Sequence, residues 1–103
     1  MVLVYGDFDQ VELDRQYDAR GASSDGHKFR EFLRDESPRA RSRHTCHLDI
    51  SYGLSPDELL DIFPADDASP VVFFIHGGYW RSSSKDDMSI FADTFVPAGA
   101  TLV

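Results

Sequence analysis

The chain has 103 residues, of which 42% are hydrophobic and 27% charged, a composition that excludes a disordered segment and indicates one small globular domain. Its formal net charge of -8 argues against nucleic acid or an anionic membrane as a partner. The single cysteine, Cys46, cannot form an internal disulfide, and the sequence shows neither a secretory leader nor a membrane-spanning apolar run, so we expect a cytoplasmic protein.

The first 45 residues are predicted to form an N-terminal helical segment. Residues 1–5 are apolar and strand-like but isolated. Residues 11–20 carry mixed charge with a few apolar positions and predict a short helix. A loop follows over residues 21–26, in which Asp25 is placed to cap the next helix.

That next helix is predicted over residues 27–36, where three apolar side chains share one helical face. Ser37 and Pro38 indicate a new cap and a first helical position, so residues 39–44 are predicted to continue as a separate turn. The arginines of this region are interpreted as a solvated helix face; they are Arg34, Arg39, Arg41 and Arg43.

Two strands are predicted next. Residues 47–52 alternate between apolar and polar side chains, which is typical of a half-buried strand. Residues 53–57 are rich in turn formers, and residues 59–63 read as a second strand that ends at Pro64. Together they predict an antiparallel hairpin at the edge of a sheet.

An unbroken apolar run over residues 71–75 predicts a strand that is buried on both faces. It leads directly into Gly77 and Gly78, where the backbone is free of obstructing side chains. Backbone N–H groups at such a position can point at a bound group, and in acyl-transfer enzymes that group is often a developing oxyanion.

An amphipathic helix is predicted after this loop. Ser84 is placed as its cap, and its apolar stripe consists of Met88, Phe91, Ala92, Phe95 and Val96. Pro97 and Gly99 end the helix, and a last strand is predicted to begin near Thr101, parallel to residues 71–75 through a right-handed crossover. An apolar strand at this point leads us to expect the N-terminal part of a longer protein.

One motif resembles a known family. The run His76-Gly77-Gly78-Tyr79-Trp80 is similar to the H-G-G-x-W motif of the kynurenine formamidase (arylformamidase) branch of the α/β-hydrolase superfamily. Three further stretches support the resemblance: residues 12–17, residues 50–53 and residues 60–64. The resemblance covers nearly all of this chain but only the first part of such an enzyme.

The resemblance implies a fold and a set of roles. The fold is α/β, with a mostly parallel sheet, antiparallel first strands and helices on both faces. Residues 46–103 would supply the first strands, the oxyanion loop and the first crossover helix. The backbone N–H groups of Gly78 and Tyr79 would form part of an oxyanion hole, Gly77 would give the loop its freedom, His76 would hold the loop, and Trp80 would pack under it or border the acyl pocket. The implied substrate is a small-molecule amide or ester, N-formyl-kynurenine above all, and no cofactor or metal is needed.

The nucleophile of such an enzyme is absent from the sequence. No G-x-S-x-G occurs among the 103 residues, and Ser82, Ser83 and Ser84 do not follow a strand in the required way. The serine, acid and histidine of the triad are therefore expected beyond Val103, and the chain alone is expected to be inactive.

Three alternatives remain open. The parent could be a carboxylesterase-like or lipase-like hydrolase, or the chain could be a non-catalytic remnant or a binding module. A zinc site formed by His44, Cys46, His47 and His76 is disfavoured by their spacing, and Cys46 is interpreted as a small buried hydrophobic residue. The oligomeric state and the substrate are not determined by the sequence.

Overall fold

The computed structural model describes residues 1–79 and 81–103. Strands and helices are mixed along the chain, and the strands form three sheets of two strands each. The strands are β1 (Leu3–Tyr5), β2 (Phe8–Asp9), β3 (His47–Ser51), β4 (Leu59–Ile62), β5 (Val71–Val72) and β6 (Thr101–Leu102). The helices are α1 (Gln10–Tyr17), α2 (Gly26–Arg43), a 3₁₀ helix (Lys85–Phe91) and α3 (Ala92–Phe95).

The chain divides into two compact units, Met1–Glu31 and Phe32–Val103. In the first unit, β1 pairs with β2 in an antiparallel hairpin, and α1 confirms the predicted short helix. Asp9 begins α1 because its carboxylate accepts a hydrogen bond from the Glu12 N–H at 2.9 Å. Glu12 in turn accepts hydrogen bonds from Arg15 and Gln16, which lower the pKa of its carboxyl to about 2.

Helix α2 is continuous from Gly26 to Arg43, so the predicted interruption at Ser37 and Pro38 is wrong. Pro38 removes one intrahelical hydrogen bond, but side chains on both sides of it hold the second half of the helix to the chain beyond β5. Within the described residues, neither α2 nor any other helix combines the length and apolar character needed to cross a membrane.

Ser37 does not cap its own helix. Its side chain is fully buried, donates a hydrogen bond to the Asp87 carbonyl at 2.7 Å and accepts one from the Ile90 N–H at 3.2 Å. Arg41 donates to the Asp86 carbonyl at 2.6 Å. Arg43 forms an ion pair with Asp93 at 2.5 Å while its side chain stays 45% exposed, so both arginines in the last turn of α2 make specific contacts and Arg43 also lies on the solvated face that was predicted.

These contacts explain why residues 85–91 are a 3₁₀ helix and not the predicted α-helix. In an α-helix the Ile90 N–H would donate to the Asp86 carbonyl. Here the Ile90 N–H donates to the Ser37 hydroxyl, and the Asp86 carbonyl accepts a hydrogen bond from the Arg41 side chain. Ser84 precedes the helix as predicted, yet its side chain makes no capping hydrogen bond. The predicted cap position is right and the predicted hydrogen bond is wrong.

The predicted hairpin is confirmed, since β3 and β4 are antiparallel. Its register shifts between His47 and Ile50, where Asp49 has a positive φ of 57°. This irregularity breaks the alternation expected of residues 47–52, and every residue of β3 is exposed. The half-buried strand predicted from the pattern is therefore wrong in its burial.

Strand β5 is parallel to β6, as predicted. The pairing is extended by hydrogen bonds from the Val103 N–H to the Val72 carbonyl at 2.9 Å and from the Phe74 N–H to the Val103 carbonyl at 2.8 Å. Leu102 also pairs with Phe63 in an antiparallel bridge, so the hairpin and the parallel pair meet at β6. The larger, mostly parallel sheet stays a prediction.

Residues 71–75 are not buried on both faces, which corrects the prediction. Phe73 is 62% exposed and Ile75 77% exposed. The apolar run has one neighbouring strand, and no second layer of the described residues covers its outer face. An apolar run of this kind is typical of a strand packed on both faces, but none of the described residues packs on the outer face of residues 71–75.

The core lies where β4, β6 and α3 meet. Its buried residues are Phe63, Ala92 and Leu102, and Cys46 packs against them as a partly buried hydrophobic side chain. The predicted apolar stripe is confirmed for four of its five members, since Phe91, Phe95 and Val96 also pack on this cluster. The core is small because it is formed by short elements.

Replacing Ser37 by alanine is expected to lower the free energy of unfolding by about 1 to 3 kcal/mol, because the fully buried hydroxyl would be lost and the partly buried Ile90 N–H would lose its acceptor. Ser42→Ala is the matched control on the same helix, since Ser42 is exposed and its hydroxyl donates a local hydrogen bond to the Pro38 carbonyl at 3.2 Å. Urea unfolding followed by circular dichroism measures both. Equal effects of the two substitutions would contradict the proposed role of Ser37.

Candidate active site

The sequence-predicted site residues lie in the segment that leaves β5. This glycine loop, residues 76–84, connects the parallel strand pair to the 3₁₀ helix. His76, Gly77, Gly78 and Tyr79 are brought together as consecutive residues just after the last hydrogen bond of the strand pair. Trp80, the fifth predicted residue, lies outside the described residues.

The loop turns sharply at Gly78. Gly78 has a φ of 121°, Tyr79 has a φ of 53°, and the Gly78 carbonyl accepts hydrogen bonds from the N–H groups of Arg81 at 3.0 Å and Ser82 at 3.2 Å. A Cβ atom at Gly78 would lie 1.7 Å from the Ser82 carbonyl oxygen. Only glycine fits this position without displacement of the backbone.

Gly77 differs from its neighbour. A Cβ atom there would meet nothing within 4 Å, and its φ is not in the left-handed region. The steric need for glycine in this loop therefore falls on Gly78.

Two backbone N–H groups at the start of the loop have no acceptor among the described residues. Among the described residues, the N–H groups of Gly77 and Gly78 donate no hydrogen bond. The exposed His76 ring donates from Nδ1 to the Gly77 carbonyl at 2.7 Å, which requires the proton on that nitrogen. That hydrogen bond fixes the orientation of one peptide of the loop.

A cleft of about 520 Å³ opens beside the start of the loop. His76 and Ile75 form one wall, and Phe73 and Phe74 extend it with apolar surface. The rest of its lining combines hairpin residues with the beginning of the 3₁₀ helix, and it contains the charged residues Asp49, Asp57, Asp61, Lys85 and Asp86. The lining of the cleft thus includes both aromatic and acidic side chains.

Lys85 lies among the acidic residues of the cleft and contacts three of them. Its ammonium nitrogen is 2.6 Å from Asp49, 2.9 Å from Asp61 and 2.9 Å from Asp86. Partial burial alone would lower the pKa of Lys85, but hydrogen bonds to these carboxylates outweigh it and raise the pKa above the ordinary 10.5. The resulting stabilisation is complete below pH 10.5 and is lost as the pH rises through the raised pKa.

Asp61 is the buried member of this group, with 6% of its surface exposed. Its Oδ1 also accepts a hydrogen bond from the Asp49 N–H at 2.9 Å, while its Oδ2 is buried and has no hydrogen-bond partner among the described residues. The irregular backbone at Asp49 is what directs that N–H at Asp61. The hairpin is therefore shaped around a buried carboxylate.

Sequence reasoning missed the Lys85–Asp61 pair. The available signal was Asp61 itself, a lone charged residue inside the apolar stretch Leu59-Leu60-Asp61-Ile62-Phe63. A carboxylate in a buried strand must be paired, so a partner was to be expected. The spacing alone does not identify Lys85, which lies 24 residues further along the chain.

The remaining candidates are not brought into a catalytic arrangement. Ser82 donates a hydrogen bond from its hydroxyl to the Gly78 carbonyl at 3.4 Å, and Cys46 donates to the Arg41 carbonyl at 3.6 Å. His44 contacts Asp93 at 2.7 Å. In the part of the chain that the structure describes, no three residues of the ligating types lie close enough to hold a metal ion.

Comparison with known proteins shows that the chain is similar to curated enzymes, among them two kynurenine formamidases. The chain is 36% identical over 74 residues to the kynurenine formamidase of Danio rerio and 32% identical over 74 residues to that of Salmo salar. Each match covers 69% of this chain and 25% of the relative, so the chain spans about a quarter of the length of these curated relatives. No protein-family model and no solved structure matches it.

Proposed function

We propose that these residues form the oxyanion side of a formamidase-like serine hydrolase and that the nucleophile lies outside them. The similarity to two kynurenine formamidases carries the proposal. The absence of G-x-S-x-G from the 103 residues supports its second half. Residues 1–45 would be an N-terminal helical segment, and residues 46–103 would be the first part of the α/β-hydrolase domain.

The geometry of the glycine loop supports this role. Gly78 must be glycine, its N–H group has no partner among the described residues, and the loop begins at the end of a parallel strand pair. A donor in this position can contact a reacting oxygen without first breaking a hydrogen bond, and such preorganised donors are typical of oxyanion holes.

The proposed reaction is hydrolysis of an arylformamide. A serine oxygen, activated by histidine, would form a bond to the formyl carbon, and the carbonyl oxygen would become the oxyanion. The N–H groups of Gly78 and Tyr79 would stabilise that charge. Loss of the aromatic amine, protonated by the histidine, would leave a formyl ester on the serine, and water would then release formate.

A chimera tests the proposal. Residues 46–103 of this chain would replace the corresponding segment of the Danio rerio kynurenine formamidase, and hydrolysis of N-formyl-kynurenine would be measured as release of formate. We expect the folded chimera to be active and the 103-residue chain alone to be inactive.

Three outcomes would contradict the proposal. A chimera with native circular dichroism but no turnover would exclude a role of this segment in the site. Turnover by the isolated chain would show that the nucleophile lies within it. A kcat/KM for p-nitrophenyl acetate that exceeds the value for N-formyl-kynurenine would favour a carboxylesterase.

A further inference from the structure

The glycine loop is held at both ends. Its first residue follows the β5–β6 pair, where the Phe74 N–H donates to the Val103 carbonyl at 2.8 Å. Its last residue, Ser84, leads into the 3₁₀ helix at Lys85. Only two residues, Ser83 and Ser84, separate Ser82 from Lys85, so Lys85 cannot move far without moving the turn at Gly78.

Lys85 links the end of the glycine loop at Ser84 to the hairpin formed by β3 and β4. Its ammonium group contacts Asp49 on β3 and Asp61 on β4, at 2.6 Å and 2.9 Å. In the described part of the chain, no other cation forms an ion pair with Asp61. The pair is therefore obligatory for a carboxylate that is almost completely buried.

We propose that Lys85 is a positioning residue that fixes the glycine loop by binding Asp49 and Asp61 of the hairpin. Its consequence for catalysis rests on the proposed function of the loop, but the positioning itself does not. The turn at Gly78 has two hydrogen bonds of its own, from Arg81 and Ser82, and both donors belong to the five residues that precede Lys85. The persistence of these two hydrogen bonds therefore reports whether Lys85 fixes the loop.

Amide hydrogen exchange of the 103-residue chain measures this directly. In Lys85→Met, the exchange rates of the Arg81 and Ser82 amides are expected to rise about tenfold or more, and the rise at Val103, which reports on the strand pair, is expected to be smaller. Lys85→Arg should restore most of the protection, because a guanidinium can also reach the two carboxylates.

Two further variants keep the test decisive. Asp49→Asn removes one ion-pair partner, and asparagine tolerates the positive φ at this position, so a milder rise of about two- to fivefold is expected at Arg81 and Ser82 even if Lys85→Met unfolds. Lys28→Met is the matched control, since Lys28 is the only other lysine and pairs with Asp25 at an exposed site. It should leave the exchange at Arg81 and Ser82 unchanged.

If Lys85 stabilised the fold in general and did not position the loop, the pattern of amide exchange rates would be different. If Asp49→Asn leaves Arg81 and Ser82 unchanged, or if Val103 accelerates as much as they do, the proposal is wrong. Exchange requires no turnover, so an inactive chimera would refute the proposed function and leave this result unaffected.

Discussion

Replacing Gly78 by alanine in the chimera is expected to lower kcat for N-formyl-kynurenine about a hundred- to a thousand-fold. The new Cβ would lie 1.7 Å from the Ser82 carbonyl oxygen, at a φ of 121° that alanine rarely adopts. The loop must shift to relieve this overlap, and the proposed donors would move with it. Steady-state kinetics measures the loss.

Gly77→Ala is the matched comparison, since its Cβ would meet nothing within 4 Å. It should lose far less activity than Gly78→Ala, and circular dichroism should show both chimeras folded. If the two substitutions reduce kcat equally, the loop has a different conformation in the active enzyme. If neither reduces kcat, the oxyanion role of the loop is wrong.

Replacing Phe63 by alanine is expected to lower the free energy of unfolding of the 103-residue chain by about 3 to 5 kcal/mol. Phe63 is 3% exposed, belongs to the core and itself forms the antiparallel bridge with Leu102. The loss combines the transfer of the ring to water with the cavity that remains. Such a loss is large enough to unfold a small domain.

Phe73→Ala provides the control. Its ring is 62% exposed, so the expected change is within about 0.5 kcal/mol. Phe63→Leu, with an expected cost below about 1.5 kcal/mol, remains measurable if Phe63→Ala does not fold. Urea unfolding of all three variants decides whether the core lies at Phe63 or at the apolar run; a larger effect of Phe73→Ala would place it at the run.

Local sequence patterns predicted the elements of this protein well. The hairpin of residues 47–63, the short helix after Asp9 and the parallel pairing of β5 with β6 are all present. Each of these depends on residues that are near in sequence, or on the known preference of a strand–helix–strand unit for parallel pairing. The position of the glycine loop follows from the same unit.

Local patterns could not predict contacts between residues that are far apart in sequence. Ser37 has the sequence of a helix cap, but it acts on Asp87 and Ile90, about 50 residues away. Together with the hydrogen bond from Arg41 to the Asp86 carbonyl, these contacts account for the 3₁₀ helix in place of the predicted α-helix and for the continuity of α2 across Pro38. Nothing local distinguishes a serine that caps its own helix from one that binds another.

By itself, the sequence determined that a strand begins at Val71 and that a glycine turn follows, because apolar runs and glycine pairs act through local sterics, although the strand ends at Val72 and does not extend over the predicted residues 71–75. It also carried the similarity to kynurenine formamidases. Only the tertiary structure decided that Gly78 is the position without room for a side chain and that Lys85 binds the hairpin beside the loop. Both depend on atoms brought together by folding, the Ser82 carbonyl in the first case and the buried Asp61 carboxylate in the second.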